Sequence, residues 1–358
     1  FQALKSSGAG VFSGMKYGEM GRYAEVIRAF EAPRSSAPNR GVPAYTNIAD
    51  AVGLVASSAG KPGWPGEGDL SRASTFGPAL AIADLEGSGS RLVYITGTGP
   101  QGDGALFRYQ TGRFTAISDS GIDGSNAIGA CFADYDGDGD SDLYLTCVGL
   151  NRLYRNDGDG HFTDVTAATG TGGGAFVSVG AAWADADHDG DLDLYVANYA
   201  SIAGGTVRRG APNFLFRNNG DGTFTEVARD AGIDGGSVAT VGVLFFDFDD
   251  DRDLDLLLIN QGAPNRLFLN DRVGRYTEAT SRFPELADDG STLGVLVGDV
   301  DRDGRQDLLL LRGPKTPRLL LQRERGRFVE DKTFAAKNPV GAASGILADL
   351  DLDGDLDL

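Results

Sequence analysis

The sequence predicts an all-β chain, a β-propeller of four-stranded blades, preceded by a short N-terminal α-helical hairpin. Three observations carry this reading. An acidic segment recurs along the chain, four short apolar runs keep a fixed order inside each unit, and tight-turn residues separate the runs. The acidic segments begin at Asp84, Asp134, Asp185, Asp247, Asp299 and Asp349, with successive starts 50, 51, 62, 52 and 50 residues apart. Four strands in a unit of roughly 40 to 50 residues is the arithmetic of a propeller blade.

The elements repeat in order. The first run of each unit is IGACFA from Ile128, VGAAWA from Val179, VGVLFF from Val241 and LGVLVG from Leu293. The acidic loop follows, then a second run: DLYLTC from Asp142, DLDLYVA from Asp191, DLLLI from Asp255 and DLLLL from Asp307. The third is NRLYRN from Asn151, NFLFRN from Asn213, NRLFLN from Asn265 and PRLLLQ from Pro317. The fourth is HFTDVT from His161, TFTEVA from Thr223, RYTEAT from Arg275 and RFVEDK from Arg327. These runs are short, rich in branched and aromatic residues, and bounded by Gly, Asn and Asp, which marks strands joined by tight turns. The longest interval holds SIAGGTVRRGAP from Ser201, read as a polar, glycine-rich loop.

Ahead of the blades, residues 1–38 differ. Gly14, Tyr17, Gly21, Tyr23, Ile27 and Phe30 stand at tetratricopeptide-like spacing, favoured here over a generic amphipathic helical hairpin. Residues 39–75 read as a linker and a closing outer strand, YTNIADAVGL from Tyr45, and residues 76–358 as the blades. The chain opens on Phe1 and stops inside an acidic motif, so a fragment is expected: five whole or nearly whole blades and the first hairpin of a sixth.

With 358 residues, 41% of them hydrophobic, and 53 glycines, the composition is globular rather than disordered. A net charge of −19 argues against binding nucleic acid through a basic face. No apolar run approaches the roughly 18 residues of a membrane-spanning helix. Cys131 and Cys147 flank one acidic loop, leaving a cross-strand disulfide and two buried thiols both open. Two histidines, His161 and His188, leave little material for histidine chemistry; His188 is expected to face solvent.

The acidic loops have the chemistry of calcium sites. Calcium takes six to eight oxygens, and a loop with Asp at positions 1, 3, 5 and 9, a backbone carbonyl at 7 and Gly at 6 supplies them. Three loops fit the pattern fully and contribute Asp134, Asp136, Asp138 and Asp142; Asp185, Asp187, Asp189 and Asp193; and Asp349, Asp351, Asp353 and Asp357. Asp247, Asp249, Asp251 and Asp255 keep the pattern with Arg252 in place of the glycine, which predicts backbone strain and weaker binding. Asp299, Asp301, Asp303 and Asp307 form the fifth site. Position 7, acting through its carbonyl, is Asp140, Asp191, Asp253, Arg305 and Asp355. The unit from Asp84 lacks the third and last carboxylates and is expected to bind nothing well. Magnesium prefers fewer protein ligands, and zinc would need His or Cys.

These units, typified by VGAAWADADHDGDLDLYVANY, resemble the FG-GAP/VCBS repeats of integrin α-type propellers. The tails like NRLYRNDGDGHFTDVTAATG, with the tetratricopeptide-like piece, resemble the cartilage-acidic-protein/UnbV group. Phe76, Gly77 and Pro78 resemble the FG-GAP signature itself. The resemblance implies a seven-bladed, calcium-stabilised propeller in a secreted, surface or periplasmic protein. The function expected is a non-catalytic scaffold for a protein or glycan ligand, without membrane insertion. The alternative is a propeller-platform lyase or hydrolase acting on an acidic polysaccharide, with Arg312, Lys315, Arg318, Arg323, Arg325 and Arg327 as its polyanion patch.

Overall fold

The computed structural model describes residues 79–85, 89–97, 104–286, 289–313, 315–337 and 344–349, together with Val52 and Leu356. The tetratricopeptide-like segment lies outside the described residues, as does residues 39–75 apart from Val52.

The first blade holds β1 (Leu80–Leu85), β2 (Ser90–Ile95), β3 (Ala105–Gln110) and β4 (Arg113–Ile117). The second holds β5 (Ala127–Ala133), β6 (Asp142–Gly149), β7 (Arg152–Asn156) and β8 (Phe162–Asp164), followed by the short helix α1 (Thr166–Thr169). The third runs through β9 (Phe176–Ala184), β10 (Asp193–Ala203), β11 (Thr206–Arg209), β12 (Phe214–Asn218) and β13 (Phe224–Glu226). The fourth comprises β14 (Thr240–Phe246), β15 (Asp255–Asn260), β16 (Arg266–Asn270) and β17 (Tyr276–Glu278). The fifth comprises β18 (Gly294–Gly298), β19 (Asp307–Leu311), β20 (Arg318–Glu324) and β21 (Arg327–Glu330), with helix α2 (Lys332–Lys337) after it.

Each blade is an antiparallel meander, and the first strands of successive blades neighbour one another: β1 with β5, β5 with β9, β9 with β14, and β14 with β18. That radial order makes the architecture a β-propeller, as the sequence predicts. Val52 offers its carbonyl to the Phe114 N–H, 2.7 Å away, at the outer edge of the first blade. None of the described helices is long and apolar enough to cross a membrane.

The core lies between blades. The second strands are buried along their length, DLYLTC and DLLLIN among them, because each face packs on a different neighbour. Leu143, Leu145 and Phe162 meet Leu92 and Tyr94 of the first blade. From the other face, Tyr144 and Leu153 meet Leu194 and Phe216 of the third.

One expectation changes, and one alternative left open is decided. The segment from Ser201 is a strand pair, with Ser201 opposite Arg208 and Ala203 opposite Thr206. Gly204 and Gly205, at φ 56° and 74°, supply the two left-handed residues that a two-residue hairpin turn needs. Ile202 and Val207 then pack on the core. The cysteines are free thiols. The hairpin register puts Cys131 opposite Tyr144 and Cys147 opposite Ala127, so they point to different inter-blade clusters.

Both asparagines of the third-strand motif are structural. Asn151, Asn213 and Asn265 accept the N–H groups of Cys147, Asn198 and Asn260 at 2.9, 2.8 and 3.1 Å. The amides of Asn151 and Asn213 donate onward to Ser178 and Thr240, each 3.0 Å away on the first strand of the next blade. Leu257, 1% exposed, sits in this inter-blade core, whereas Leu150 is 58% exposed. Leu257→Ala should cost about 2–5 kcal/mol in urea denaturation, and Leu150→Ala within about 0.5 kcal/mol of nothing.

Candidate metal centres

Each acidic loop joins the first and second strands of a blade, and the four loops from Asp134, Asp185, Asp247 and Asp299 share one backbone path. Positions 4 and 6 are left-handed in all of them: Gly137 and Gly139, His188 and Gly190, Asp250 and Arg252, Arg302 and Gly304. Arg252 does adopt the strained conformation, at φ 79°. The carboxylate at position 1 accepts the N–H of position 6, at 3.0 Å for Asp134–Gly139, 3.2 Å for Asp185–Gly190, 3.0 Å for Asp247–Arg252 and 2.9 Å for Asp299–Gly304. Position 5 accepts the N–H of position 7, as Asp189 does from Asp191 at 3.0 Å.

Position 9 closes the loop. Asp193 accepts the Ala186 N–H with one oxygen (3.1 Å) and the Asn218 N–H, from the third strand, with the other (2.8 Å). Asp142 does the same with Tyr135 and Asn156, Asp255 with Phe248 and Asn270, and Asp307 with Val300 and Gln322. A further bond ties the loops from Asp134, Asp185 and Asp247 to the blade after each. The Asn218 amide donates to the Tyr135 carbonyl at 3.0 Å, Asn270 to Ala186 at 2.8 Å, and Gln322 to Phe248 at 3.4 Å. Sequence reasoning missed Asn218, Asn270 and Gln322 as site residues, although an amide side chain ends each of these third-strand motifs in the sequence.

Four carboxylate groups result: Asp134, Asp136 and Asp142; Asp185, Asp187 and Asp189; Asp247, Asp249 and Asp251; Asp299, Asp301 and Asp303. In each, one oxygen per residue lies within 4.8 Å of the others, about twice a calcium–oxygen bond of roughly 2.4 Å. Clustered acids alone do not make a metal site. The fit rests on Oδ1 of Asp185, Asp187 and Asp249, which are buried and accept no hydrogen bond; a cation would satisfy them. A cleft of about 520 Å³ between the third and fourth blades, lined by Asp187, Asp193, Arg217 and Tyr276, gives solvent a path to that loop. These groups could therefore hold a metal ion.

Other predicted residues fall elsewhere. Asp138, Asp193, Asp255 and Asp307 stand outside the tight groups, the last three serving as loop closures. The side chain of Asp253 is engaged by Arg272 at 3.1 Å and His188 at 3.6 Å, so His188 is turned inward between two loops rather than toward solvent. Among the sixth set, Asp349 is described and Asp351, Asp353, Asp355 and Asp357 lie outside the described residues. Asp84 pairs with Arg91 at 2.7 Å. Each residue of the basic run lies beside an acid. Arg312 and Lys315 meet Asp289, Arg318 meets Glu330, Arg323 meets Asp301, Arg325 meets Asp250, and Arg327 meets Glu324.

Burial pushes the carboxyls of Asp142 and Asp193 up to about 8, Asp255 to about 7, and Asp307 and Asp247 to about 6. The unfolded chain ionises these acids near 3.8, so between there and the raised values the folded state binds more protons. Without metal, stability should therefore fall as pH rises from about 4 to about 8. Melting curves in chelator across that range check this, and a divalent cation that holds the carboxylates ionised should flatten the slope. Arg252→Gly should relieve about 1 kcal/mol of backbone strain and tighten metal binding at that loop, both readable by calorimetry.

The model for FG-GAP-like repeats matches residues 141–196, 247–310 and 299–358. Cartilage acidic protein 1 of Xenopus tropicalis is 32% identical over 161 residues, 41% of this chain and 24% of that protein. The Homo sapiens protein of the same name is 32% identical over 165 residues. The chain thus matches about a quarter of the length of these curated relatives, 24% in each case. Among solved structures, an Agrocybe aegerita lectin that recognises non-reducing terminal N-acetylglucosamine aligns with TM-score 0.43 and 18% identity, covering 70% of this chain and 64% of that one. FG-GAP-like repeats thus take in parts of the second and third blades, much of the fourth and the residues from 299 on, in a chain similar to cartilage acidic protein 1.

Proposed function

We propose that this protein is a non-catalytic, calcium-binding propeller scaffold that presents its blade surfaces to a protein or glycan ligand. One observation carries the reading. Buried carboxylate oxygens without hydrogen-bond partners recur at the same place in successive blades, inside loops that are also bonded to the next blade. Three carboxylates and a backbone carbonyl per loop suit calcium, which accepts many oxygens at flexible geometry; magnesium would keep more of its water.

Asp185, Asp187 and Asp189 would hold the ion in the third blade, with the Asp191 carbonyl as a further ligand. The loops from Asp134 and Asp247 would act alike, the second weakened by Arg252. When bound, calcium supplies charge neutralisation and cross-linking. The chain's own residues do the rest: Asp193 fixes the loop to the third strand, and Asn270 fixes it to the following blade. Such sites fill at the millimolar calcium found outside cells, which supports an extracellular, cell-surface or periplasmic setting. The net charge of −19 supports a partner other than nucleic acid.

Calcium should raise the melting temperature and chelator lower it, since each independent site at 100 times its Kd adds about 2.7 kcal/mol. Asp185→Ala should reduce the bound calcium by about one ion per chain in equilibrium dialysis. A melting temperature indifferent to chelator would sink the structural-calcium reading. On glycan arrays, binding without turnover is expected; product release from an acidic polysaccharide would overturn the non-catalytic part.

A further inference from the structure

The loop from Asp299 has the four aspartates of its sisters but differs in its surroundings. Its Asp301 carboxylate meets the guanidinium of Arg323 at 2.5 Å, and Asp303 lies 3.5 Å from the same nitrogen. Arg305 adds a second contact to Asp303, at 2.9 Å. Among the described residues, the buried Oδ1 atoms of Asp187 and Asp249 at the equivalent third position accept no hydrogen bond. Asp301 has a cation in that place.

The repeat shows how the arginine gets there. The backbone N–H groups of Asn156, Asn218, Asn270 and Gln322 donate to the closing aspartates of their own blades, which fixes them as equivalent. The next residue is Asp157, Asn219 and Asp271 in the second, third and fourth blades, and Arg323 in the fifth. In those three blades the strand ends there and turns. In the fifth, β20 continues to Glu324, and its pairing with β21 jumps from Gln322–Phe328 to Glu324–Arg327. Arg323 is thus the extra residue of a β-bulge, a device that re-aims a side chain. Position 7 changes in the same blade and the same direction, from Asp140, Asp191 and Asp253 to Arg305.

We propose that Arg323, assisted by Arg305, is a built-in counter-cation that occupies the charge role of the metal in the fifth blade, so this loop closes without calcium while its sisters need it. The inference rests on the reading of the sister loops as metal sites. A guanidinium presents several donors in a fixed fork to two carboxylates and keeps its charge at any working pH. It also repels a divalent ion at short range.

The test is calcium stoichiometry of the whole chain by equilibrium dialysis with atomic emission, backed by terbium luminescence. Arg323→Gln should bind one more ion per chain than wild type, and Arg323→Lys should leave the wild-type count unchanged. In the otherwise wild-type chain, Asp303→Asn should not change the count. Arg323→Gln should also melt lower in chelator than wild type and recover in calcium. If wild type binds calcium and Asp303→Asn loses an ion, or Arg323→Gln gains none, the counter-cation proposal is overturned while the sister sites stand. If wild type binds no ion at all, the metal reading fails and takes this proposal with it.

Discussion

The buried aspartate at the end of each acidic loop is the contact on which a blade depends. Asp142, Asp193, Asp255 and Asp307 each spend both carboxylate oxygens on backbone N–H groups, one inside the loop and one on the third strand. The loop, the second strand and the third strand are thereby fixed by one side chain that is no more than 1% exposed. The arrangement is costly for a carboxylate, because burial opposes its charge and the other loop aspartates add repulsion. A neighbouring positive charge is the direct remedy. The third blade leaves buried oxygens that an ion would satisfy, and the fifth brings up an arginine of its own.

The loops also join blades. Apart from a short pairing of β6 with β9, which runs the second and third blades into one sheet, no described sheet continues from blade to blade, so neighbouring blades are held mainly by face-to-face apolar packing and a few polar ties. The asparagines at both ends of the third strand supply those ties, one reaching forward to the next first strand and one reaching back to the preceding loop. The loop residue that receives the backward bond is itself part of the packing: Tyr135 lies against Phe224, and Phe248 against Phe328, on the outer strands of the following blades. Order in a loop is therefore passed to the blade interface. This links the electrostatics of a turn to the cohesion of the whole molecule.

The strand order was legible in the sequence because both of its signals are local. Short branched or aromatic runs prefer extended backbone, and Gly, Asn and Asp mark the turns between them. The acidic register was equally plain, since alternate aspartates around a glycine specify a turn whatever surrounds it. Arg252 could be recognised as strained for the same reason. The segment from Ser201 was misread: its polarity suggested a loop, but Gly204 and Gly205 allow a hairpin whose alternate residues find a buried face. The partnership of His188 with Asp253, across two loops far apart in the chain, had no local signature at all.

By itself the sequence determined the repeat, the four strands of a blade, the place of each acidic turn and the carboxylates it contains. These follow from backbone preferences and charge over a few residues. The tertiary structure decided which carboxylates share a site, which close a loop, and which already have a cation beside them. Arg323 lies sixteen residues beyond the loop it serves, counted from Asp307, and a bulge in the pairing of β20 aims it at that loop. Distance along the chain does not fix distance in space, and the energy of a charge depends on the second.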